Sequence, residues 1–136
     1  MEMERERVEV LALFQDVLSW GWDSRLETSL AEFKIGQQEE IRAILDRRLG
    51  CVWDCSTIAT APENVRAVVD YFGKLRPGQL FFATDPGRGW FVFCAWWPWG
   101  DGKTISLRVA AADEAMCVPE KTGLVARLKR WVGLES

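Results

Sequence analysis

From Gln79 to Ala112 the apolar positions form first an unbroken run and then a strict alternation, which together predict an antiparallel meander. Trp90 to Trp97 is apolar at every position, so that strand needs cover on both faces and belongs at the centre of a sheet. The next strand alternates, with Ile105, Leu107, Val109 and Ala111 on one face and Thr104, Ser106, Arg108 and Ala110 on the other, the pattern of a strand with one wet face. Asp85-Pro86-Gly87-Arg88-Gly89 and Pro98-Trp99-Gly100-Asp101-Gly102 supply the turns on either side of the central strand.

Elsewhere the spacing is helical. Val10, Leu13, Phe14 and Val17 predict a helix over 3–19 that Trp20-Gly21-Trp22-Asp23 breaks. Ser24 with Glu27 reads as a capping box for a second helix carrying Leu26, Leu30 and Phe33, ended by Gly36. Ile41, Ile44, Leu45 and Leu49 mark a third helix, ended by Gly50. Residues 51–56 read as a short strand, and Thr60, Pro62 and Glu63 open a helix with Val65, Val68, Val69 and Phe72 on one stripe. Strand, helix and strand over 51–84 then suit a right-handed crossover. A last helix starts at Val118-Pro119 and bears Leu124, Val125, Leu128 and Trp131.

The expected fold is α+β with element order αααβαβββα. A three-stranded antiparallel meander, extended by a fourth short strand, is covered by helices in a single domain over 1–136. Residues 1–50 form an acidic helical part packed on the strand-helix-meander-helix part, 51–136.

Composition narrows the chemistry. At 136 residues with 49% hydrophobic and 27% charged residues the chain is globular, with a formal net charge of -3. Residues 1–50 hold 7 Lys/Arg against 11 Asp/Glu, a net of -4, which suits a basic partner and argues against a general nucleic-acid binder. The N-terminal MEMERERVEV is charged where a signal peptide is apolar, and no apolar run reaches membrane-helix length, so the expected location is cytoplasmic, without a membrane partner. Cys51, Cys55, Cys94 and Cys117 are read as reduced core thiols, because Cys51-x3-Cys55 is poorly spaced for zinc. No metal or cofactor site is expected.

The chain contains no histidine, which removes the usual neutral-pH base, Ser/His and Cys/His nucleophile pairs, and imidazole metal sites. Asp54, Asp85 and Asp101 show no paired-carboxylate spacing, and the last two occupy turns. No phosphate-binding glycine loop occurs. The order α, β, β, β, α over 61–133 resembles a double-stranded-RNA-binding domain, but Pro119-Glu120-Lys121-Thr122 stands where that domain has a basic cluster.

Aromatic residues are the positive signal. Of 8 tryptophans, Trp53, Trp90, Trp96 and Trp131 are assigned to the core, leaving Trp97, Trp99 and Trp22 as candidates for an exposed patch. Tryptophan is enriched at binding hot spots, so the expectation is a non-enzymatic protein-binding module with no catalytic residues. Its partner-binding residues are Trp22, Glu39, Glu40, Asp46, Trp97, Trp99 and Asp101. In size, charge and missing chemistry the profile is similar to the small acidic immunity proteins with which bacteria neutralise a cognate toxin, a likeness of class without a diagnostic motif. The alternatives are a small-ligand binder with an aromatic pocket between sheet and helix, and less favoured, a carboxylate-based enzyme or an RNA-binding domain. The apolar central strand is also compatible with a homodimer.

Overall fold

The computed structural model describes residues 2–113. It contains α1 (Glu2–Ala12), β1 (Gly21–Asp23), β2 (Thr28–Lys34), α2 (Gln38–Arg48), β3 (Cys51–Trp53), α3 (Glu63–Phe72), β4 (Leu80–Ala83), β5 (Trp90–Pro98) and β6 (Thr104–Asp113), with short 3-10 turns between some of them. The class is α+β, as the hydrophobic pattern implies. The helix predicted from Val118 onward, with Trp131 and Cys117, lies outside the described residues.

All strands join one 6-stranded sheet in the order β1-β2-β6-β5-β4-β3, every neighbouring pair antiparallel. The expected meander forms its centre. The N-terminal hairpin adds to β6 with Ala31 opposite Leu107 and Phe33 opposite Ile105, and β3 adds to β4 with Val52 opposite Phe82. The sheet therefore has six strands where three or four were expected.

Side chains alternate across the sheet and build two cores. On the first face Phe82, Val92, Cys94, Trp96, Ile105, Leu107 and Val109 meet Val10 of α1 and Ile41 and Leu45 of α2. On the second, Phe81, Phe91, Phe93, Ala110 and Ala112 meet Val65, Val68 and Val69 of α3. With helices on both faces, β6 is buried along nearly its whole length, so the expected wet face does not exist. Of the positions read as the wet face, Thr104, Ser106 and Ala110 are buried and Arg108 is half-buried.

The largest departure is at 24–34, where a hairpin replaces the expected second helix. The Asp23 carboxylate accepts from the amides of Arg25 and Leu26, which starts a turn, and Glu27 takes a left-handed φ of 52°, a conformation that closes a loop and ends any helix. From Thr28 onward the burial alternates. Leu26, Leu30 and Phe33 fit helical spacing, and the unpaired edge of β6 decides the outcome.

Three smaller expectations also change. The crossover at 51–84 is absent, because α3 returns the chain to β4 antiparallel to β3 and adjacent to it. Helix α1 ends at Ala12, after which the Leu13 amide is shared between the Glu9 and Val10 carbonyls and the chain tightens into 3-10 turns. Thr60 and Glu63 form no capping box; the Thr60 hydroxyl donates to the Thr57 carbonyl and α3 starts behind Pro62. Among the tryptophans expected in the core, Trp96 is buried while Trp53 and Trp90 are half-buried. Of the cysteines, Cys94 is buried and Cys51 half-buried, but Cys55 is exposed, since Asp54 accepts from the Ser56 and Thr57 amides in a turn that follows β3.

Candidate functional site

The turn between β5 and β6 sets the geometry at one end of the sheet. Asp101 Oδ1 accepts from the amides of Lys103 and Thr104, and Oδ2 accepts from the Thr104 hydroxyl. These bonds, led by that from the Lys103 amide, hold the Asp101 carboxyl below the usual carboxylate range. Asp101 thus builds the turn, and what the turn displays is Trp99, 45% exposed. The Trp99 amide donates to the Thr104 carbonyl at 2.8 Å and so fixes the backbone beneath the ring.

A neighbouring segment joins this end. The Ile35 amide donates to the Lys103 carbonyl at 2.8 Å, which places Ile35, 43% exposed, beside the same turn. Helix α2 begins three residues later and turns Ile41 and Leu45 to the sheet. Its outer side, with Glu39, Arg42 and Asp46, borders a shallow groove of about 430 Å³ floored by Trp96. Arg42 holds Asp46 at 3.2 Å, whereas among the described residues Glu39 and Glu40 have no ion-pair partner.

The remaining candidates lie elsewhere. Trp22 is 60% exposed on the edge strand β1. It pairs at the level of Ser29 and Val109, five residues along the strands from Lys34 and Thr104, or about 17 Å from the Trp99 end. Trp97 points to the second face, its ring 6.1 Å from Phe72 edge-on and under the Arg108 guanidinium at 5.2 Å. The structure therefore sets Glu39 and Asp46 around the Trp96 groove, Trp99 on the β5–β6 turn beside Ile35, Trp22 on the edge strand, and Trp97 against Phe72.

Much of the N-terminal acidic excess is engaged internally. Glu6 of α1 takes Arg88 at 2.9 Å and Arg48 at 3.6 Å, while Arg88 stacks 3.8 Å over Trp90, so this cluster ties α1 to the β4–β5 turn and to α2. Asp23 takes Arg108 at 2.6 Å. The hydrogen bonds from Arg88 and Arg108, respectively, hold Glu6 and Asp23 below the usual carboxylate range. Neither cluster is oriented toward the Trp99 end.

A cavity of about 420 Å³ lies on the second face where α3 ends, walled by Val69, Phe72, Leu75, Phe81 and Trp97. Of these residues Trp97 is a candidate from the sequence, and the others are not. The signal for the cavity was present in Gly73 followed by Lys74 and Arg76, a helix exit with paired cations, but locating it required knowing that Trp97 turns to the α3 face. Among the described residues no three His, Cys, Asp or Glu side chains cluster as metal ligands, and no helix is long and apolar enough to cross a membrane. Compared with family models, curated proteins and solved structures, the chain matches none of them.

Proposed function

We propose that the protein is a non-enzymatic binding module that docks a basic protein partner at the Trp99 end, in the manner of a small acidic immunity protein that neutralises a toxin. The observation that carries this reading is Trp99 itself: a large ring held out by a turn whose own carboxylate is occupied, next to exposed Ile35. An aromatic anchor beside an aliphatic one, rimmed by polar groups, is the usual make-up of a binding hot spot. Glu39 and Glu40, unpaired on the adjoining helix, supply the charge complementarity, and Lys34, Lys103 and Arg42 nearby keep the local balance close to neutral. Trp99 and Ile35 then supply most of the affinity and the two glutamates mainly speed encounter.

The test is stoichiometric binding to the basic product of an adjacent gene, followed by stopped-flow kinetics. The complex should form without turnover, and its association rate should fall between low and physiological salt as screening shortens the reach of Glu39 and Glu40. Reversing both to lysine should slow association several-fold with little change in dissociation. An association rate indifferent to salt and to the reversal would remove the glutamates from the interface.

A further inference from the structure

We infer that the cavity at the end of α3 is a binding site for a small aromatic carboxylate, distinct from and independent of the Trp99 surface. The walls favour a flat ring: Phe81 forms a buried floor, Phe72 and Trp97 stand half-buried at the sides, and Val69 and Leu75 complete an apolar lining. A volume of about 420 Å³ suits a molecule of one or two rings.

The rim chooses the head group. Lys74 and Arg76 both stand at the mouth, and among the described residues no aspartate or glutamate lines the cavity and neither cation has a carboxylate partner. Asp70, one turn earlier on α3, makes no ion pair with Lys74. The rim's amide oxygen, Gln79 Oε1, already accepts from the Arg76 amide at 2.8 Å. Among the described residues nothing accepts from the Trp97 indole N–H. The side chains around the mouth therefore offer donors and positive charge with no free acceptor, which is complementary to a group that only accepts, such as a carboxylate. The C-terminal end of α3 contributes at most about half a negative charge, less than the two full positive charges beside it.

The backbone holds this rim in place. Gly73 has a φ of 101°, a conformation that other residues rarely adopt, and this is what turns the chain sharply out of α3 so that 74–76 fold around the mouth. The Gln79 amide donates back to the Arg76 carbonyl at 2.9 Å, closing the loop before β4.

Titration of ¹⁵N-labelled protein with indole-3-acetate, indole-3-acetamide and tryptamine, which share a ring and differ in charge, tests the assignment. The acid should bind about tenfold more tightly than the amide, the amine should bind most weakly, and the shifts should concentrate on 69–79 and the Trp97 indole N–H. Lys74→Ala with Arg76→Ala, both exposed, should leave the melting temperature unchanged and bring the acid down to the affinity of the amide. Equal affinities for the three probes, shifts centred elsewhere, or no binding at all would overturn the proposal. So would binding confined to a peptide that ends in Trp with no response to the free acid, which would assign the cavity to a protein partner.

Discussion

Among the described residues the two faces of the sheet are covered by different helices. On the first face two helices and the segment between them form a core with Phe14, Ile41, Leu45, Phe82 and Leu107 wholly buried, and leave a groove of about 430 Å³ at Trp96. On the second face, among the described residues, α3 with its 10 residues packs over the strands, and where it stops at Phe72 a cavity of about 420 Å³ opens. Among the described residues nothing accepts from the buried Arg108 Nε. Both faces keep a recess of similar volume, and what differs is the lining: polar side chains of α2 around Trp96 on the first face, aromatic rings with Lys74 and Arg76 on the second.

Alanine substitution at matched aromatic residues probes that contrast most strongly. Phe82→Ala, wholly buried on the first face, should destabilise by about 3 to 5 kcal/mol in chemical denaturation, and Phe72→Ala, whose half-buried ring lines the cavity, by about 1 to 2 kcal/mol. Equal losses would mean that the cavity is closed in solution.

Next in size is the Asp23–Arg108 pair, whose side chains are only 15% and 13% exposed. Asp23→Asn should cost about 1 to 3 kcal/mol at neutral pH, because it leaves the guanidinium without its anion. Asp23 and Glu6 are both held below their unfolded values, so the stability they contribute is complete above about pH 5 and is lost as pH falls through their folded values. Denaturation midpoints at pH 6, 4 and 3 should therefore decline for the native chain and decline less for Asp23→Asn.

The smallest effect needs no mutation. Iodoacetamide should label Cys55 in the native state, whereas Cys94, buried in the first face with its thiol pKa pushed up by that burial, should react only after unfolding. Mass spectrometry of the native and denatured protein separates the two.

What could be read in advance follows from how far each signal acts. Trp90 to Trp97 declared a central strand because an apolar residue at every position has only one cheap solution in a sheet, and α3 was equally plain from Val65, Val68, Val69 and Phe72. Residues 28–34 read as a helix because Leu26, Leu30 and Phe33 fit its spacing, whereas the strand buries Ser29, Ala31 and Phe33, whose small or polar members do not mark a face, and the choice rests on a partner, β6, about 75 residues away. Trp99 was identified as exposed because a turn rich in glycine leaves little to pack against. Trp97 shares its side of the sheet with Trp99, two residues on, but lies within β5 and packs against Phe72, whereas Trp99 lies past the strand end in the turn. The cavity depends on where α3 stops relative to the sheet, a tertiary fact that the local signal of Gly73, Lys74 and Arg76 does not locate.

The central claim is that Trp99 serves recognition rather than the core, and one substitution read out twice tests it. Trp99→Ala should leave the unfolding free energy within about 0.5 kcal/mol of the native value, as for an exposed side chain, and weaken the partner complex by about 2 kcal/mol or more in calorimetric titration. A lowered melting temperature with unchanged partner affinity would show instead that the ring closes the end of the sheet, and would contradict the assignment.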